Sequence, residues 1–287
     1  MSAVDLEHLR QWMGKQESDT DQLSVRHARL MAATLGLDQE SIRAGAPLPA
    51  LWHWTYFLEG LPPDQLGPDG HPARGGFLPP VPLPNRMWAG GDVVFHAPLP
   101  LGATVEKRSR IASVEHKHGR SGDLVFVAVL HEILRDGNVA VTETHDIVYK
   151  QAGVAPQTAA PMNMPAPAYS KRIRPDSTML MRYSALTFNG HRIHYDADYC
   201  RQVEGYPNLV IHGPLCATLL AGTAQEAGGR PIRQFRYRGV RPNLLGAELT
   251  LHVAQVGDDE LTAWICLPDG SVSMRADVRL RSSEDPA

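Results

Sequence analysis

The stretch TFNGHRIHYD, residues 187–196, sets Asn189, His191, His194 and Asp196 among the side chains of Phe188, Ile193 and Tyr195. Three readings fit these residue types. A metal could use His191 and His194, spaced i, i+3, with Asp196 and the later His212 as further ligands. Against it, Gly190 and the β-branched and aromatic neighbours oppose one helix presenting both rings, and H-E-x-x-H is absent. No firm ligand trio remains, so no metal is expected. Acid–base chemistry is the second reading. A neutral imidazole titrates near neutrality and can take or give a proton unaided. Asn189 can hold a water or orient a partner, although an amide does not transfer protons as a carboxylate does. Nineteen residues after His194, Gly213-Pro214 opens an apolar segment. If that segment is a helix, the free amides near Gly213–Leu215 and the helix dipole favour negative charge developing on a carbonyl. A base, an orienting amide and an oxyanion site together suit hydration or dehydration beside a thioester carbonyl. The third reading is structural: Asp196 caps ADYCRQVEG as a short helix, His191 is a turn residue, and Tyr183 and Tyr195 simply pack. On residue types alone the last two readings stay open for His194.

The elements that must position these groups are mostly strands. GPLCATLLAGTAQEAGG (213–229) reads as a helix, with Pro214 in its first turn and Gly228-Gly229 at its end. It is apolar nearly all round, so it should be buried. DQLSVRHARLMAATLGLD (21–38) also has helical spacing and ends near Gly36. Elsewhere the chain is β-rich and repeats itself. P-x-x-L-G-A occurs at Pro98–Ala103 and Pro242–Ala247, followed by D-G-x-V at Asp136–Val139 and Asp269–Val272. Two matches in the same order indicate an internal duplication. The interval is 11 residues longer in the first copy, which a longer hairpin at EHKHGRSGD (115–123) would absorb. Asp136-Gly137 and Asp269-Gly270 are hairpin turn pairs. The Ala/Pro-rich, uncharged stretch 151–168 reads as a linker. The expected fold is therefore α+β: a double hot-dog, two tandem antiparallel sheets each wrapped around a helix. Residues 1–150 would form one unit and 169–287 the second, which carries the histidine stretch.

Bulk properties exclude several classes. A net charge of −3 steers the chain toward neither nucleic acid nor an anionic membrane. Three unclustered cysteines, Cys200, Cys216 and Cys266, fit a reducing compartment and form no zinc motif. The amino terminus lacks a signal-peptide core, and the longest apolar run, Leu124–Leu130, is too short for a membrane span. A cytoplasmic location is expected.

With these motifs in place, the chain resembles the MaoC-like hot-dog hydratases and dehydratases, whose signature is D-x-N-P-x-H-x-D. His194 falls on the catalytic histidine and Asp196 on the trailing acid, but Asn189 stands where the family has its catalytic aspartate. YPNLVIHGPL (206–215) resembles the segment whose glycine, here Gly213, receives the thioester carbonyl. SALTFNGHRIHYD, GYPNLVIHGPL, RMWAGGDVVFHAPLPLG (86–102) and GPDGHPARGGFLPPVPLP (67–84) are similar to one branch. It holds the mesaconyl-C4-CoA and itaconyl-CoA hydratases and the type 2 hydroxyacyl-thioester dehydratases. The resemblance spans about 20–283. It implies a hydro-lyase acting on an enoyl-CoA without cofactor, coenzyme A being part of the substrate. His194 would be the main acid or base, Asn189 would hold water and His191 could share the proton traffic. Amides at Gly213 and Leu215 would hold the thioester oxygen. A dicarboxylic acyl group would need a cation, with Arg192, Arg182, Arg86 and Arg74 as candidates and Tyr183 as a further contact. The Pro/Gly-rich loop 61–87 is a candidate lid. YSKRIRP (169–175) reads as a solvated basic segment, or as a contact for CoA phosphates. A fatty-acyl dehydratase and a hot-dog thioesterase are the alternatives. Hot-dog units often pair, so the resemblance leaves a homodimer open.

Overall fold

Ten antiparallel strands form one sheet in the computed structural model, which describes residues 4–119, 122–151 and 162–282. The strands are β1 (Gln16–Gln22), β2 (Asn85–Phe95), β3 (Thr104–Gly119), β4 (Gly122–Arg135) and β5 (Asn138–Lys150), then β6 (Tyr169–Ile173), β7 (Ile232–Gly239), β8 (Leu249–Gln255), β9 (Glu260–Cys266) and β10 (Val272–Leu280). Their order across the sheet is β1-β3-β4-β5-β2-β7-β10-β9-β8-β6. Counted outward from the join of β2 and β7, the two sides read β2-β5-β4-β3-β1 and β7-β10-β9-β8-β6. The same strand plan thus occurs twice, as the repeated motifs require. Equivalent turns use equivalent glycines: Gly102 and Gly246 have φ of 94° and 96°, and Gly137 and Gly270 both have φ of 78°. A side chain at such angles would be strained. The first copy's extra length lies in the β3–β4 hairpin, with strands of 16 and 14 residues against seven each for β8 and β9. The tip of that hairpin, 120–121, and most of the expected linker, 152–161, lie outside the described residues.

The helices are α1 (Leu6–Arg10), α2 (Val25–Leu35), α3 (Ser177–Leu186), α4 (Ala197–Tyr199) and α5 (Gly213–Gly228). α5 is the long buried helix of the second unit and packs on β7, β8, β9 and β10. Its ends are as expected: Pro214 lies in the first turn and Gly229 stops it at φ 64°. α2 buries Ala28, Met31 and Ala32 in the same apolar cluster as Val93, Val105, Ile133 and Val141 of the first unit. It is shorter than expected. Residues 21–22 belong to β1, whose pairing with β3 overrides the apolar spacing, and Ser24 caps the helix instead. The segments preceding the two joining strands also differ. Where α5 precedes β7, the stretch before β2 carries Pro62, Pro63, Pro68, Pro72, Pro79, Pro80, Pro82 and Pro84. Proline lacks the amide that a helix interior needs, and only a single 3-10 turn, Pro63–Gln65, forms there. Val81 and Leu83 from this loop pack with Leu9, Val114, Val125, Val127 and Tyr149. The loop thereby covers part of the first unit and reaches toward the second.

β2 and β7 join the units through Gly90↔Arg238, Gly91↔Tyr237, Asp92↔Arg236, Val93↔Phe235 and Val94↔Gln234. Glycine is required at the join. A Cβ on Gly91 would sit 2.5 Å from the Thr144 carbonyl oxygen and 2.7 Å from the Tyr237 hydroxyl. Asp92 adds charge pairing, accepting from the Arg236 guanidinium at 2.7 and 2.9 Å and from Gln234 Nε2 at 2.7 Å. Gly91→Ala is therefore expected to destabilise the protein by about 1–3 kcal/mol, as overpacking does. Denaturant unfolding checks this against Gly76→Ala, whose added methyl meets nothing within 4 Å.

Candidate active site

His194 lies on a short 3-10 turn, Arg192–His194, and is buried. Its Nδ1–H donates to the Val210 carbonyl at 2.7 Å, which leaves the lone pair on Nε2. The Val210 amide donates back toward the turn, to the Ile193 carbonyl at 2.9 Å. His212 stacks on His194 with ring centroids 3.6 Å apart, and its Nε2 meets Ser184 Oγ at 2.8 Å. His212 also starts α5, so one residue links the histidine to the helix that carries Gly213. Burial pushes His194 down to about 4. His191 falls to about 2, through burial first and then the nearby charges of His71 and His194. His212 is also held low, by burial and then by His194 and His191. At neutral pH all three rings are uncharged, which suits a base and excludes a resident imidazolium.

Asp196 takes the structural role. Its carboxylate accepts from the Tyr199 amide at 2.9 Å, capping α4, and from Arg192 Nη2 at 2.7 Å. Asn189 also shapes the turn: its Oδ1 accepts from the His191 amide at 2.9 Å. The preceding Phe188 holds φ 47°, which turns the chain sharply out of α3.

A cavity of about 1890 Å³ runs between the units, and Asn189, His191, His194 and Gly213 all line it. The first turn of α5 leaves amides without intrahelical partners. Gly213 lies on the cavity wall under the Trp88 ring, which an added Cβ would meet at 3.4 Å. Leu215 is fully buried and lies off the cavity wall, so Gly213 alone of the expected pair faces the space. Tyr183 lines the wall, buried with its ring edge-on to His212 at 5.0 Å.

The four arginine candidates separate cleanly. Arg182 is exposed and outside the cavity. Arg192 is held by Asp196, by the Pro68 carbonyl and by the Tyr199 ring 4.2 Å away. Arg74 ties the Val81 and Pro84 carbonyls and so fixes the loop. Arg86 remains. It lines the cavity beside Tyr149 and pairs with no carboxylate among the described residues. Its charge lowers His71, His145 and His191. The basic segment 169–175 sits at the sheet edge, where Lys171 pairs with Glu226 at 2.9 Å, and it does not reach the cavity.

Two groups escape the sequence reading. Glu143 is buried in the first unit's wall, accepting from His53 Nε2 at 3.0 Å and Trp54 Nε1 at 2.9 and 3.0 Å. Burial raises its carboxyl, but the bond and charge of His53 outweigh this and bring it to about 2. His131 and His145 beside it are pushed to about 4 by burial, and Lys107 completes a polar wall. The second group is Asp69-Gly70-His71, at the tip of the proline-rich loop. The Arg192 amide donates to the Asp69 carbonyl at 2.9 Å, docking this tip on the histidine turn. His71 Nδ1 meets Asp69 Oδ2 at 2.9 Å, and the His71 ring lies 4.0 Å from that of His191. Ligand atoms of Asp69, His71 and His191 fall within 4.8 Å of one another, a spacing that a cation could use. The charge of Arg86 on both histidines opposes a second cation there. The D-G-H tripeptide was visible in the sequence, but nothing local ties it to His191, some 120 residues away.

Comparison with known proteins matches this architecture. Residues 51–245 match the family described as hydroxyacyl-thioester dehydratase type 2. The mesaconyl-C(4)-CoA hydratase of Chloroflexus aurantiacus is 41% identical over 271 residues, covering 94% of this chain and 96% of its own. The mitochondrial hydroxyacyl-thioester dehydratase type 2 of Saccharomyces cerevisiae is 28% identical over 180 residues, 60% of this chain and 62% of its own. Among solved structures, a MaoC-like dehydratase from Phytophthora capsici aligns with a TM-score of 0.74 at 13% identity, over 99% of this chain and 100% of that one. Such structural likeness identifies the fold as the expected double hot-dog. The sequence match extends across both units and through the histidine turn, and the chain belongs to the type 2 hydroxyacyl-thioester dehydratase family.

Proposed function

We propose that this protein is a hydro-lyase that adds water across the α,β double bond of a short dicarboxylic enoyl-CoA, or removes it in the reverse direction. The relative from Chloroflexus aurantiacus, a mesaconyl-C(4)-CoA hydratase, supports this substrate class. The observation that carries it is Arg86, a cation in the cavity wall with no carboxylate partner among the described residues. A guanidinium can take a substrate carboxylate bidentately. The surrounding wall of His131, His145, Glu143 and Lys107 is polar. A long alkyl chain would deny water to His145 Nε2, which is buried without a hydrogen-bond partner in the protein, and that is costly. Arg238, which lines the same cavity and has no ion pair among the described residues, offers a cation to the CoA phosphates.

In the hydration direction, His194 Nε2 takes a proton from water as the water oxygen bonds to Cβ. The π pair moves toward the thioester, and the first amides of α5 at Gly213 hold the enolate-like oxygen. His194 then returns its proton to Cα, so one water is added and no redox change occurs. The neutral histidine is the active form. Burial keeps it neutral down to about pH 4, so activity is lost only as pH falls toward that value.

The reaction is read as a mass gain of one water on mesaconyl-C(4)-CoA, itaconyl-CoA and crotonyl-CoA, with free thiol followed in parallel. The dicarboxylic substrates should be hydrated without thiol release, whereas thiol release would identify a thioesterase. His194→Ala is expected to lower kcat by about 10²–10⁴-fold. Arg86→Gln should raise KM for the dicarboxylic substrates tenfold or more, the loss of a charged hydrogen-bonded partner, and leave crotonyl-CoA nearly unchanged. Equal effects on both substrate types would remove Arg86 from this role.

A further inference from the structure

The chemistry above needs a water held by both of its hydrogens. One O–H must point to His194 Nε2, and the second needs an acceptor if a lone pair is to face Cβ. Within the histidine turn no side chain is free to supply it well. Asn189 Oδ1 is engaged by the His191 amide, and the Asp196 carboxylate is spent on Arg192 and the α4 cap. The first unit supplies a better group. Asp69 fixes the His71 tautomer by accepting at Nδ1, at 2.9 Å, which leaves the Nε2 lone pair. His71 lines the same cavity as His194, its ring 4.0 Å from that of His191, which in turn lies 5.4 Å from the His194 ring. The loop is held in place by the Arg192 amide on the Asp69 carbonyl and by Arg192 Nη1 on the Pro68 carbonyl. Gly70 and Gly190 meet backbone to backbone, an approach that leaves no room for a side chain at Gly70.

We propose that the Asp69–His71 pair, carried by the loop of the first unit, is the second water-holding group of the active site. This rests on the hydro-lyase reading above. His71 Nε2 accepts the O–H that stays on the product as its hydroxyl, while the other proton travels through His194 to Cα. Asp69 orients the His71 ring and offsets the positive charge that appears as His194 takes its proton. The carboxylate is suited to this: burial raises it, but the hydrogen bonds from the His71 ring and the His71 amide outweigh burial and hold it ionised. The charged and titratable groups facing His71 are Asp69, Arg86, Arg74, His191 and His194.

The test measures kcat and KM on mesaconyl-C(4)-CoA and crotonyl-CoA across the acid and neutral range. The variants are Asp69→Asn, His71→Ala, His71→Gln, Asn189→Ala and His194→Ala. Asp69→Asn and His71→Ala are each expected to lower kcat by roughly 100-fold with KM changed by less than about threefold. His71→Gln, which retains an acceptor, should recover part of the loss. Removing the Asp69 charge makes the pocket histidines harder to protonate, so the acid limb of Asp69→Asn should move to lower pH. Asn189→Ala should cost less than His71→Ala. The proposal is overturned if Asp69→Asn and His71→Ala keep near-normal kcat while His194→Ala is inactive. It is also overturned if their loss is a rise in KM with a lowered melting temperature and an unmoved acid limb, which would mark a merely structural loop. Should His194→Ala itself turn over normally, the hydro-lyase reading fails and this proposal falls with it.

Discussion

The antiparallel pairing of β2 with β7 is the constraint on which everything else depends. Two five-stranded halves become one sheet only because their joining strands approach closely, and Gly90 and Gly91 permit that approach. Sheet continuity then fixes the distance and angle between the units. The cavity is the space this geometry leaves, walled by α5 and the histidine turn on one side and by β2, β4 and β5 on the other. A loose interface between independent domains would tolerate slippage of a residue or more. A hydrogen-bonded ladder does not, since a one-residue slip turns every side chain to the opposite face.

The electrostatic character of the site follows from that enclosure. Imidazoles that would be partly charged in water are neutral here because burial penalises the charged form. Two of the carboxylates in the walls stay ionised because each has a histidine bonded to it: Asp69 with His71, Glu143 with His53. Arg86 is a wall cation that pairs with no carboxylate among the described residues. The cavity is thus neutral where a proton must move and cationic where an anion could be held.

Much of this was legible in the sequence, for local reasons. The turn glycines and the Asp-Gly hairpins state their backbone angles outright, and they lie where the repeated motifs place them. α5 announces itself by its apolar composition and its terminal residues. His194 is singled out by the resemblance of its turn to the D-x-N-P-x-H-x-D signature. What was hidden depends on contacts between distant residues. β1 is QESDTDQ, wholly polar and without alternation, and it exists as a strand because β3 offers it a ladder. Which arginine is free could not be read either, since Arg192, Arg74 and Arg86 differ only in partners supplied by the fold. The place of Asp69 and His71 beside His191 was hidden for the same reason, since they are brought to the site by a loop whose path is set by packing rather than by its own pattern.

The join has a consequence for how the chain is made. Synthesis runs from the amino terminus, so β2 emerges well before β7, with 136 residues between Phe95 and Ile232. At cellular translation rates that interval is roughly seven to thirty seconds. Throughout it the first unit carries an open strand edge of the kind that recruits other nascent chains. Asp92 stands in the middle of that edge, its countercharge Arg236 not yet made. The residue that later pins the two halves together thus begins as a guard, a lone negative charge that discourages pairing with anything but the strand bearing its arginine.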